Sequence, residues 1–211
     1  MNEMMDTQNS NDHRDLLVKW LKLLLSVQTV SLAVSAVSMA LMLVPVGGAA
    51  KLIELLAKVL NICVIVILYN LSPVNRRYRF AFVASLIAMV GSLAEKLTFG
   101  PGLALVVSLV SFAGSIGGIV AMYQEYYGHS EIAQMGRAPE LRRKWCSLFV
   151  WQIVVGVLVS LVTVSATMIG TAAEADLNKL VSILVPIVSV PALALEAVYL
   201  GYLKKTLALF E

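Results

Sequence analysis

Six stretches of roughly twenty or more mostly apolar residues, each bounded by charge, glycine or proline, constrain this chain more than any other feature. A helix rising 1.5 Å per residue needs about 20 apolar residues to cross the ~30 Å hydrocarbon layer. Four stretches meet that length without help: residues 23–46, 103–123, 148–173 and 180–203. Two carry charge. Residues 52–71 include Glu54 and Lys58, and residues 80–99 hold Glu95 and Lys96 near one end. Turn-forming residues fall between the stretches: Pro45, Gly47 and Gly48, then Ser72 and Pro73, then Gly100, Pro101 and Gly102.

Composition closes the alternative of a water-soluble fold. Of the 211 residues, 59% are hydrophobic and 14% charged, and the mean hydropathy is +0.85. A soluble domain of this size hides only about 70% of its unfolded surface, too little to bury so much apolar side chain. The expected fold class is therefore all-α, an integral membrane bundle of six transmembrane helices arranged as three consecutive hairpins. Residues 1–22 form an N-terminal segment, 23–203 a single transmembrane domain and 204–211 a short tail.

Charge sets the expected orientation. Twelve of the 16 Lys and Arg residues fall on one side of the six spans: Arg14, Lys19 and Lys22; Arg76, Arg77 and Arg79; Arg137, Arg142, Arg143 and Lys144; and Lys204 and Lys205. Lys51, Lys58, Lys96 and Lys179 fall on the other. Cytoplasmic segments retain positive charge, so both termini are expected in the cytoplasm. Compactness and the lack of a targeting pattern point to a bacterial plasma membrane. Trp20, Tyr78 and Trp145 each follow a basic residue at the start of an odd-numbered span, and Tyr69, Tyr123 and Tyr199 close the even ones, the pattern of aromatic belts at headgroup level. The segment from Gln124 to Ala138 is the longest connection, with Pro139 and Glu140 as the first turn of a helix entering the fifth span. Its histidine, His129, is expected at the interface and exposed.

Lipid supplies no hydrophobic drive between helices, so small residues are expected at their contacts. Gly114 and Gly118 form a Gly-x-x-x-Gly pair, and Gly156 and Ser160 begin a small-residue series on the fifth span. They predict close packing, within the chain or against another membrane protein or a second copy.

Ionisable groups inside a bilayer are costly and mark candidate sites. Glu196 lies eight residues before Lys204, hence ~12 Å from the basic edge. Pro186 and Pro191 precede it, and each removes a backbone donor. A helix broken there, with a carboxylate beyond the break, is a design used for cation or proton sites. Ser189 shares the seven-residue spacing of Glu196, and Gln28 and Gln152 are the polar residues of neighbouring spans that are expected to line the site. Glu54 and Lys58 are spaced as an ion pair four residues apart, with Asn61 following on the same face as an outer-half polar group.

No residue pattern points to other chemistry, and an intramembrane enzyme is the least favoured class. Cys63 and Cys146 make no paired or metal-binding spacing, and His13 in the N-terminal segment is the only histidine besides His129. No metal, cofactor or nucleic acid is expected, and no serine-hydrolase elbow, zinc-protease helix or phosphate-binding glycine loop occurs. Two functions remain: a small solute-handling or transport-type membrane protein with an intramembrane carboxylate, or a non-enzymatic protein that docks a partner. The lipid bilayer is the expected environment of both.

Overall fold

The structure is a computed structural model. It describes residues 2–43, 49–94, 103–172 and 177–211, with backbone only at 2–12, 42–43, 49–50, 163, 166–172 and 177–188. The described residues form six α-helices: α1 Asn2–Leu43, α2 Ala49–Leu71, α3 Arg76–Ala94, α4 Ala104–Met135, α5 Pro139–Ala172 and α6 Leu177–Leu207. Among these residues, five helices are long and apolar enough to cross a membrane: stretches of α1, α2, α3, α4 and α5. Helices are what such sequence must form in lipid, where each backbone N–H and C=O has to be satisfied within its own segment.

The helices close a ring, each packing on its neighbours in chain order and α6 returning to α1, while α4 also reaches α6 across the middle. The C-terminal residues meet the basic stretch of α1 at one end of the ring. There Arg14 Nε donates to the Phe210 carbonyl at 2.8 Å, and Lys22 pairs with Glu211 at 2.8 Å.

Local chemistry explains the turns at this end. Asn75 caps α3: its Oδ1 accepts the Arg77 backbone N–H at 2.8 Å, satisfying one of the orphan donors of the first turn. α4 ends on a 6→1 bond from Ala138 N–H to the Ala133 carbonyl, with Arg137 in the left-handed region at φ 57°. The glycine beside it, Gly136, serves packing instead, since a Cβ there would lie 2.7 Å from Leu209 Cδ1. Pro139 then opens α5, where its missing N–H costs nothing, and Glu140 places a carboxylate in the first turn.

The core is concentrated at the basic end. Leu17, Leu21, Leu24, Ile67, Leu68, Leu71, Ile132, Trp145 and Leu203 are buried together there. Outward-facing apolar side chains surround the rest, such as Leu52 at 70% exposed, Leu105 at 72% and Phe112 at 65%. Water would not tolerate an apolar exterior of that extent, whereas lipid tails would.

Three expectations need correcting. The segment from Gln124 is not a loop: α4 runs on to Met135, and only Gly136–Ala138 connects it to α5. Gln124, Glu125, His129 and Glu131 of this extension find partners on neighbouring segments, so the helix has no reason to stop where the apolar run does. The helical backbone of α6 is unbroken through both prolines, because one missing donor in a helix otherwise held by its own bonds and neighbours need not interrupt it. Pro186 falls among the residues of α6 whose side chains are not described. Finally, Tyr78, Trp145 and Tyr199 do not form a belt at the lipid interface; all three are buried inside the bundle.

Small residues act most strongly between α3 and α4. A Cβ on Gly91 would lie 2.5 Å from Gly114 Cα, and one on Gly117 would lie 3.0 Å from the Ala84 carbonyl oxygen. The packed face of α4 is thus Gly114 and Gly117. Gly118 is looser, its nearest neighbour being Ala88 Cβ at 3.9 Å. Gly156 has nothing within 4 Å among the described residues, and Ser160 is exposed, donating to the Gly156 carbonyl at 2.9 Å.

Candidate functional site

Among the described residues, two cavities between the helices share polar lining. The larger, about 410 Å³, is bounded by Gln28 and Ser31 of α1, Ala57, Leu60, Asn61 and Val64 of α2, Ser85 and Ala88 of α3, and Gly118, Ala121, Met122 and Glu125 of α4. The smaller, about 160 Å³, is bounded by Gln28, by Glu125 and Tyr126 of α4, by Gln152 of α5, and by Glu196, Tyr199 and Leu200 of α6. Gln28 and Glu125 line both.

Gln28, Gln152 and Glu196 therefore meet around one space, although they come from α1, α5 and α6. Pro191 is exposed and Ser189 part-buried on α6, and neither lines these cavities. The outer-half group divides. Glu54 and Lys58 pair at 3.0 Å with both side chains about half exposed, outside either cavity, while Asn61 lines the larger one.

Sequence reasoning missed Glu125 and the residues that hold it. Glu125 and His129 are four apart on the extended part of α4, so they share a face. Tyr199 O–H donates to Glu125 Oε1 at 2.6 Å. Its single proton is thereby committed, so the 3.1 Å contact with His129 Nε2 is an N–H donating to the Tyr199 oxygen. That leaves His129 Nδ1 as the acceptor for the Tyr78 O–H at 2.8 Å. The chain Tyr78, His129, Tyr199, Glu125 is fully satisfied by a neutral imidazole, and every hydrogen in it points toward the carboxylate. His129 has no exposure at all, contrary to its expected place at the surface. It stacks on Trp145 with ring centroids 4.7 Å apart, and the Trp145 indole N–H donates to Thr206 Oγ1 at 3.0 Å.

This buried aromatic layer joins α3, α4, α5 and α6 and forms the floor of the site toward the basic end. Beyond it Glu131 accepts from Asn75 Nδ2 at 2.9 Å and pairs with Arg77, which also donates to Gln124 Oε1 at 3.2 Å. The turn before α3 is thus tied to the end of α4.

Above the floor, the lining is polar, with Gln28, Ser31, Asn61, Ser85 and Gln152 beside the two carboxylates. Gln152 Oε1 is buried without a hydrogen-bond partner, a rare condition for a buried polar atom. Among the described lining residues no Lys, Arg or His occurs, so Glu125 and Glu196 face the space with no positive side chain on its walls. No group of three or more potential metal ligands occurs among the described residues. Comparisons with protein-family models, curated proteins and solved structures found no match to this chain.

Proposed function

We propose that this is a solute-handling, transport-type membrane protein whose binding site is the space shared by Gln28, Glu125, Gln152 and Glu196. One observation carries the reading: polar side chains from four helices, two of them carboxylates, converge on a cavity inside a bundle whose outer surface is apolar. Polar groups are placed at such depth at a cost, and a bundle that needed only to pack would fill the same space with apolar side chains. The ring architecture suits the role, since each helix contributes one wall and none needs to be broken to expose a polar group. The proposed setting is a six-span topology with both ends on the cytoplasmic side of a plasma membrane, as the distribution of Lys and Arg favours.

The test is flux. In proteoliposomes loaded with the full chain, uptake of at least one small polar solute should exceed that of empty liposomes. Glu196→Gln should lower it about tenfold or more, equivalent to about 1.4 kcal/mol, with insertion and elution volume unchanged. Flux indifferent to Glu196→Gln would remove this residue from the site, and a chain that conducts no solute would end the transport reading.

A further inference from the structure

We propose that the solute is an organic ammonium ion, its charged head held between Glu125 and Glu196 and its apolar body lying in the larger cavity; this rests on the transport reading above. Three independent features of the walls select that chemistry. The first is charge. Among the described lining residues there are two carboxylates and no basic side chain, with the His129 ring 3.7 Å behind Glu125, so an anion would meet repulsion and a cation would relieve it.

The second is that particular acceptors on the wall lack a donor. Glu125 is already oriented by one donor, Tyr199. Glu196 has no hydrogen bond from a described residue. Gln152 Oε1 is a buried acceptor without a donor. A ligand that brings N–H donors to these acceptors and positive charge to the carboxylates completes this wall, which an ammonium head does.

The third is size and surface. A space of about 410 Å³ adjoining one of about 160 Å³ exceeds what a bare metal ion needs and falls within the range of small organic ligands. Leu60, Val64 and Met122 make part of the larger cavity apolar. Tyr126 and Tyr199, with ring centroids 5.4 Å apart, both border the smaller one, and aromatic rings are the side chains against which organic cations rest.

Calorimetry on the full chain in lipid nanodiscs tests the assignment, using ethylammonium, benzylammonium and tetraethylammonium as probes, with benzyl alcohol, benzoate and Na⁺ as comparators. At least one ammonium ion should bind, and benzylammonium should bind about 30-fold or more tightly than benzyl alcohol, the factor expected for a desolvated charge pair. Benzoate should not bind, and Na⁺ should not displace the ammonium ion. Glu125→Gln and Glu196→Gln should each weaken ammonium binding by a similar factor while leaving benzyl alcohol within about threefold. If Glu125→Gln does not fold, Glu196→Gln together with Gln152→Leu carries the test. Equal affinity for benzylammonium and benzyl alcohol, displacement by Na⁺, or ammonium binding that survives the substitutions overturns the proposal while leaving the transport reading standing. Absence of binding by every probe overturns it as well, and the flux of Glu196→Gln then decides separately whether the site itself survives.

Discussion

Gly114→Val should cost the protein about 3 kcal/mol or more, the upper part of the range for overpacking a close-fitted interior. A Cβ at Gly114 would lie 2.6 Å from Gly91 Cα and 3.3 Å from Gly91 N. Both are backbone atoms, so no side chain can rotate away and the two helices must separate. Separation is costly because in lipid no hydrophobic drive adds to helix association, so the close packing it destroys is the main attraction available. Close approach of backbones is most of what α3 and α4 have. Gly91→Val should behave the same way, since its Cβ would lie 2.5 Å from Gly114 Cα. Gly118→Ala and Gly156→Ala serve as matched controls. The first would meet only Ala88 Cβ at 3.9 Å and the second nothing within 4 Å, and each should stay within about 0.5 kcal/mol of the parent. Equilibrium unfolding in mixed micelles would measure all four, and a Gly114→Val protein as stable as Gly118→Ala would refute the described contact.

That contrast also shows how far the sequence could be read. Long apolar stretches, charge and turn residues locate the helices because the bilayer imposes a length and a boundary on any chain that crosses it. They cannot say which face of α4 packs. Gly114 with Gly118 and Gly114 with Gly117 are both spaced to share a helix face, and the choice depends on where Gly91 of another helix arrives. Depth and polarity singled out Gln28, Gln152 and Glu196, which the structure places around one cavity. Glu125 was hidden by a different error. Hydropathy falls after Tyr123, and a fall in hydropathy reads as a loop. Yet Met122, Glu125, Tyr126, His129 and Ala133 continue one helical stripe, and Gly136 is the first strong stop after it. The aromatic residues were misplaced for a related reason. A tyrosine or tryptophan next to a basic residue fits a lipid interface, but the same ring fits a buried layer when another side chain meets its O–H or N–H, and that partner is remote in sequence. Tyr78 and His129, or Trp145 and Thr206, come together only in the folded bundle.

His129→Leu should lower stability by about 3 kcal/mol, and adding Tyr78→Phe should restore between about 1 and 2 kcal/mol of that loss. Leucine approximates the volume of the imidazole, so the cost is chiefly polar. Tyr78 is fully buried and its O–H is met by His129 Nδ1. Removing the acceptor strands a buried donor, worth about 1–3 kcal/mol, and loss of the stacked contact with Trp145 adds about 0.5–1.5 kcal/mol. Removing both polar partners leaves no stranded donor, the Tyr199 oxygen losing one donated bond but keeping its own bond to Glu125, which is why the second substitution should help. A double variant less stable than His129→Leu alone would show that Tyr78 and His129 are not coupled as described. The same pair separates the floor from the site it supports. Tyr199 keeps its bond to Glu125 when His129 is gone, so the carboxylate stays oriented toward the cavity. Ammonium binding by the double variant should therefore remain within about threefold of the parent even though its stability does not. Loss of both together would mean that Glu125 is held in place by His129 and not by Tyr199.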